Sequence, residues 1–297
     1  MTSSFIMTVA GKKIRADLLE QEAPRITRAF KKNLPVKSFG VNAKFAGDES
    51  IVMLPFYEEP ENEVPSVAPG DIGYYPNRQT LCLFYGDITP FAKVSLFARV
   101  RPDDLKIAQE AGREILRAGA MTVELSSGKA GGRTSRTASR AANELRSVAK
   151  LEQELRRIWE SEPRDVRALR KFTKPPMGNM PCVMYANFDL FWAIENLQVT
   201  RRLALEGRLS APQIATMVAA LLRRTQDRLS KWDFPDATKV LEGVASELES
   251  PPGPITKKML LAVIDGSVLY LDRVQTWVDA MIPWSKMDGA LRLLRAP

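Results

Sequence analysis

Residues 61–86, ENEVPSVAPGDIGYYPNRQTLCLFYG, alternate turn and strand signals closely enough to define a β-structured first domain. Pro69 leads into Gly70-Asp71, which opens one strand. Pro76-Asn77 breaks the chain, and residues 80–85 read as a buried, β-prone run. Aromatic residues crowd both strands.

The neighbouring segments extend this pattern. Residues 5–9 and 12–18 alternate apolar and polar positions around Ala10-Gly11, as a hairpin requires. Ala23-Pro24 starts a helix with Ile26, Phe30 and Leu34 on one face, ending near Pro35. Residues 39–45 and 50–56 are expected as strands joined by a turn at Gly47-Asp48, and residues 94–101 alternate again. Pro102-Asp103-Asp104 opens a helix over 105–116, and residues 121–125 form a last strand. Short strands with two helices suit a small closed barrel with helices over its ends.

Residues 126–137, SSGKAGGRTSRT, have no apolar period and mark a boundary. The expected organisation is a barrel domain over 1–127, a linker over 128–140 and a helical bundle over 141–297. Ala141, Leu145, Val148, Leu151, Leu155 and Ile158 make one apolar stripe. Pro163 and the run around Pro175-Pro176 read as an irregular connection. Residues 183–206 end at Gly207, Ser210 caps a helix to about Trp232, and helices follow over 236–248 and 256–282. The fold class is therefore α+β, a closed barrel followed by an all-α bundle.

Composition narrows the chemistry. The chain has 297 residues, 45% of them hydrophobic and 26% charged, which is ordinary for a globular protein. No stretch is long enough to span a bilayer, and residues 1–15 lack the form of a secretory signal. The two cysteines, Cys82 and Cys182, read as reduced thiols in a cytoplasmic protein. There is no histidine. That removes Ser-His-Asp and Cys-His nucleophile systems, His-ligated metals and any imidazole base. Acid–base chemistry must fall to carboxylates, Lys, Tyr or Cys, and no carboxylate spacing suggests a metal cage. Residues 1–127 hold 16 basic and 16 acidic groups, so the net charge of +8 arises entirely beyond them. Most of it falls in residues 129–174, with 13 basic and 6 acidic side chains.

The pattern E-N-x7-G-D-I-x-Y-Y-P-x4-L-x-L-F-Y-G over residues 61–86 resembles a bacterial branch of the cyclophilin-like barrels. Joined to a helical bundle, it resembles the cucumopine and mikimopine synthases, most closely over residues 5–125. The resemblance implies a condensation of L-histidine, or a related amine, with 2-oxoglutarate or a related 2-oxo acid. The amine adds to the ketone, an imine forms, and the imidazole carbon closes a ring in a Pictet-Spengler manner. It implies no metal or redox cofactor, and its partners are small molecules. The substrates bring three carboxylates, so Arg or Lys is expected in the pocket, and the proton transfers need a carboxylate or Tyr. Glu49 and Glu61 are the expected acid–base residues and Tyr85 a proton donor. Arg78 or Lys44 is the expected carboxylate clamp, with Asn62 and Tyr75 as further substrate contacts. Prolyl isomerases of this fold use an Arg beside a Phe-His strand motif. No histidine exists here, so that activity is not expected.

Plainer readings stand beside these. The acidic cluster Glu58, Glu59, Glu61 and Glu63 suits a solvated loop, Asn62 a turn cap, and Tyr74, Tyr75, Phe84 and Tyr85 the barrel core and rim. The basic run reads first as a solvated helix face, next as steering of anionic substrates, last as a nucleic-acid surface. It lacks interleaved aromatics and any binding signature for the last. Met177, Met180, Met184, Tyr185, Phe188, Phe191 and Trp192 suit a core, a homo-oligomer interface, or a lid hinged at Pro175-Pro176 and Gly178. A ligand-binding barrel without catalysis is the alternative function, separated from a synthase by turnover.

Overall fold

The computed structural model describes residues 3–43, 47–90, 92–128 and 145–282. They form two compact units.

The first unit begins with the hairpin β1 (Ser4–Val9) and β2 (Lys12–Leu18), paired in register across Ala10-Gly11. Both turn residues have positive φ, 49° and 78°, the geometry that matches the strand twist of a two-residue hairpin. Helix α1 (Pro24–Asn33) follows, then β3 (Val36–Asn42), β4 (Gly47–Met53) and the short β5 (Glu63–Val64). Next come β6 (Asp71–Tyr75), a 3₁₀ turn at Pro76–Arg78, and β7 (Thr80–Ile88). The unit ends with β8 (Val94–Val100), α2 (Leu105–Ala118) and β9 (Ala120–Ser127).

All pairings are antiparallel. The order β2-β1-β9-β3-β4-β7-β6-β8 closes on itself through β2–β8, giving an eight-stranded barrel, and β5 adds to β8 outside the circuit. Closure leaves few unpaired strand edges.

Period-2 alternation assigns the faces. Phe5, Met7, Ile14, Ala16, Leu18, Val123 and Leu125 are 1% exposed or less and share the inner face by register. Phe30 of α1 packs edge-on against Phe5, with centroids 4.7 Å apart, and lies 5.2 Å from Phe97. Helix α2 buries Ala108, Ala111, Gly112 and Ile115 against the barrel. Gly112 is required by close approach: a Cβ there would lie 2.3 Å from the Tyr85 ring. The Tyr85 hydroxyl donates to Asn42 Oδ1 at 2.6 Å.

Two expectations change in detail. Gly47-Asp48 is not a turn but the start of β4. Gly47 pairs with Ile88, and the register shifts before Glu49 pairs with Phe84. The Asp48 carboxylate accepts the Asp87 amide at 3.2 Å across this irregularity, so the acid that reads as a turn former supports the ladder. The preceding strand begins at Val36, not residue 39, because it pairs with β9 from Val36↔Leu125 onward.

Asp104, just before α2, accepts the backbone amide, Nε and Nη2 of Arg15, each at 2.8 Å. These contacts hold its carboxyl at about 2, below the usual carboxylate value. A depressed carboxyl stabilises the fold above its unfolded pKa of about 4, and this stability is lost as pH falls toward 2. Asp104→Asn should therefore flatten that part of the acid limb in urea midpoints measured from pH 5 to 2. An unchanged limb would show that the contacts do not bias ionisation.

The second unit is all-α: α3 (Arg146–Trp159), α4 (Arg164–Leu169), α5 (Asn179–Glu206), α6 (Ala211–Ser230), α7 (Pro235–Glu249) and α8 (Lys257–Asp279). The short α4 replaces part of the expected irregular connection. Its Asp165 accepts the amides of Asp236 and Ala237 at 3.1 and 2.8 Å, at the start of α7. Glu247 of α7 likewise accepts the amides of Arg146 and Ser147 at the start of α3. Ser210 and Gln213 form the capping box of α6. Carboxylates from neighbouring helices thus satisfy N-terminal amides that local caps leave open. Arg273 lies 4.5 Å from the Trp159 ring and 5.2 Å from the Trp277 ring. The expected linker over 128–140 falls outside the described residues apart from Gly128.

Candidate functional site

The outer faces of β4, β7 and β6 carry the candidate site. Register places Glu49, Ile51 and Met53 on one face of β4, opposite Phe84, Cys82 and Thr80 of β7. On β6, Gly73 pairs with Cys82 and Tyr75 with Thr80. Cys82, Phe84 and Val94 form a buried cluster, with Ile51, Val67, Tyr75 and Ile88 packed around it. Gly73 is required here, since a Cβ would lie 2.1 Å from Val94 Cγ1.

Glu49 sits at the edge of this apolar ground and is 7% exposed. Burial pushes its carboxyl pKa up, and the neighbouring Cys82 thiol opposes that shift. Burial, with Glu49 beside it, pushes the Cys82 thiol well up as well. The result is a carboxyl biased toward its neutral acid form, beside a thiol that stays protonated. Such a group can donate a proton and take one back.

The segment between β4 and β6 is tied down at both ends. Glu61 accepts the Ile26 amide at 2.6 Å and Arg25 Nε at 3.0 Å, so its carboxylate caps α1. Arg25 also donates to the Pro60 carbonyl at 3.0 Å. Asn62, at φ 49°, donates from Nδ2 to the Leu96 carbonyl at 2.7 Å, and its own carbonyl accepts the Leu96 amide at 3.1 Å. Tyr74 stacks on Phe56 at 5.4 Å, donates to the Phe56 carbonyl and accepts the Glu58 amide. At the far end, Asp71 accepts the Ala68 amide at 2.9 Å and pairs with Arg99 at 2.8 Å.

The expected site residues therefore separate. Glu49 and Tyr75 share the outer face. Tyr85 is 0% exposed on the opposite face of β7, and burial raises its hydroxyl pKa. Glu61 and Asn62 anchor the segment between β4 and β6. Arg78 is buried, 9% exposed, in the 3₁₀ turn beyond Tyr75. Lys44 lies outside the described residues. Cys82 was not among the expected site residues. Alternation along residues 80–85 puts it on the face of Phe84, but only the β4–β7 register brings it to Glu49.

Among the described residues, no cluster of three or more metal-ligating side chains occurs, and no helix is long and apolar enough to cross a membrane. The helical unit has a groove of about 460 Å³ between α5 and α6, lined by residues including Asp189, Trp192, Arg224 and Arg228.

Closed antiparallel strands with this pattern make the first unit a cyclophilin-like barrel, and residues 4–117 match the model of the Cyclophilin-like family. Among solved structures, the chain is similar to McbB, solved in complex with tryptophan. The match covers 96% of this chain and 99% of that one, at 16% identity and a TM-score of 0.79. The likeness extends beyond the barrel to the helical region. The hypothetical protein AF2241 from Archaeoglobus fulgidus matches 42% of this chain and 94% of its own, at 23% identity and a TM-score of 0.34. No curated protein sequence matches the chain.

Proposed function

We propose that the protein is a cofactor-free condensing enzyme that joins an amine-bearing substrate to a 2-oxo acid and closes a ring in a Pictet-Spengler manner. L-Histidine with 2-oxoglutarate is the first pair to test. McbB, similar in fold, binds tryptophan, another amino acid that carries an aromatic ring, so tryptophan belongs beside histidine in the panel.

The observation that carries this reading is Glu49, a nearly buried carboxyl with a raised pKa on a largely apolar face. The reaction needs an acid and then a base at one place. The amine adds to the ketone carbon to give a carbinolamine. Glu49 protonates its hydroxyl, which leaves as water and gives an iminium. The aromatic ring carbon attacks the iminium carbon, forming the new C–C bond. The displaced ring proton returns to Glu49. Nothing is oxidised or reduced overall, so the balance requires no redox partner. Apolar surroundings favour loss of water and protect the iminium. Tyr75 would face the bound substrate, while Arg78 and Lys44 are the proposed partners for its carboxylates. Glu61, engaged on α1, would act by holding the segment between β4 and β6 in place.

The test is mass spectrometry of the full chain incubated with each amine and 2-oxoglutarate, without added metal or nicotinamide. A product equal to both substrates less one water, resistant to borohydride, supports ring closure. No product across a panel of amines and oxo acids leaves the alternative, a small-ligand barrel without turnover.

The proposal includes a homo-oligomer. Tyr185, Phe188, Trp192 and Val199 lie at helical spacing on α5 and are 46–61% exposed, an apolar stripe on a solvent face. Trp192→Glu should convert a larger species to monomer in light scattering after size exclusion. A wild-type monomer at micromolar concentration would remove this part of the proposal.

A further inference from the structure

We propose that Cys82 is a positioning residue, whose thiol holds the Glu49 carboxyl in place on the outer face of the barrel. This rests on Glu49 acting as the acid–base group.

Strand register is the first argument. Glu49 opposes Phe84, and Ile51 opposes Cys82, so Glu49 and Cys82 are diagonal neighbours on one face. A glutamate spans that separation without leaving the sheet surface. Both are nearly enclosed, at 7% and 2% exposure. The sulfur is itself held from the far side: Cys82 Sγ lies 3.8 Å from Thr80 Oγ1. The row Thr80–Cys82–Glu49 thus runs along the outer face, with Ile51, Phe84 and Val94 fencing it in apolar surface.

Chemistry gives the thiol its direction. Burial keeps Cys82 protonated, so it serves as a weak donor and not as a nucleophile. As a neighbour of the carboxyl it lowers the Glu49 pKa against the rise due to burial. Among the described residues, Asp48, Arg113 and Tyr75 are turned elsewhere or stand at the rim. Asp48 of β4 binds the Asp87 amide of β7. Arg113 of α2, with Asp48, acts on Tyr85 at the opposite face of β7. Tyr75 of β6 stands at the rim of the cluster.

The test uses the full chain as wild type, Cys82→Ala and Cys82→Ser, with two readouts. The first is the Glu49 titration, followed by the side-chain carboxyl signal in carbon-13 glutamate NMR and assigned by its loss in Glu49→Gln. Cys82→Ala should move that titration to higher pH, and Cys82→Ser, which keeps a donor, should return it toward wild type. The second is the pH profile of kcat for condensation. Cys82→Ala should lower kcat on the order of tenfold near neutral pH and shift the profile with the titration, while KM changes little. An unmoved titration in both variants overturns the proposal, as does a loss of rate without a shift, which marks simple packing damage. A shifted titration in a protein with no detectable condensation upholds the Cys82–Glu49 contact and removes the synthase reading instead. Urea midpoints check folding, and Cys82→Val, which fills the buried site without a donor, carries the test should the alanine variant fail to fold.

Discussion

Glu49→Gln should abolish most condensation while leaving a fold that resists urea better than wild type at alkaline pH. Removing a positioned acid–base group lowers such rates by about 10²- to 10⁴-fold. The amide keeps the shape and one acceptor but neither delivers nor takes a proton. The stability half of the prediction follows from burial. A carboxyl whose folded pKa is raised contributes stability that is full below its unfolded pKa and is lost as pH rises through the folded value. Above that value the native state must hold an ionised group in a largely apolar site, and glutamine carries no such charge. Wild type should therefore lose stability relative to the variant between mildly acidic and alkaline pH, read as urea midpoints at pH 5 and pH 8. Unchanged turnover would remove Glu49 from the mechanism. A variant equally destabilised at both pH values would show that Glu49 is not held under a desolvation penalty.

The largest stability effect should come from Gly112. On α2 an alanine would ordinarily favour the helix by about 1 kcal/mol. Here the new Cβ would meet Tyr85 Cγ and Cδ1 at 2.3 Å and Cδ2 at 2.8 Å. The ring has little freedom to retreat, being fully buried and tied through its hydroxyl to Asn42. Overpacking of this kind costs about 1–3 kcal/mol and occasionally more, and a β-branched side chain should reach the upper end. Gly112→Val is expected to lose about 3 kcal/mol, lowering Tm by roughly 10 °C. Calorimetry of the full chain reads this directly. Gly112→Ala, with the same contact and the helix preference in its favour, should fall between. An alanine variant as stable as wild type would mean that α2 does not press on the ring.

The barrel was largely legible because its signals are local. Alternation over residues 5–18, the punctuation at Pro69-Gly70 and Pro76-Asn77, and the helix start at Pro102 each report on a few residues. Ser210 announced α6 for the same reason. Glu49 could be nominated because it follows Gly47-Asp48, although those two residues proved to be strand and not turn. What stayed hidden depends on pairing. Whether Glu49 faces Cys82 or Leu83 is a matter of one residue of register between β4 and β7, which no single strand encodes. Glu61 and Tyr85 could not be separated from Glu49 for the same reason, since partners 35 and 43 residues distant define their surroundings. The short α4 escaped because six residues carry too little period to be distinguished from loop.

The side chains of Glu61, Asn62, Asp71 and Tyr74 each bind the backbone of another segment or turn. They are the quoted letters of the 61–86 pattern, yet Glu49 lies outside it. A search keyed to that pattern will gather barrels that share a framework, whatever reaction each performs. Sorting them by activity calls for comparing a few spatial addresses instead: the positions equivalent to 49, 75 and 82. On the proposed function, those three positions are the natural ones to vary when redirecting the barrel to a new pair of substrates.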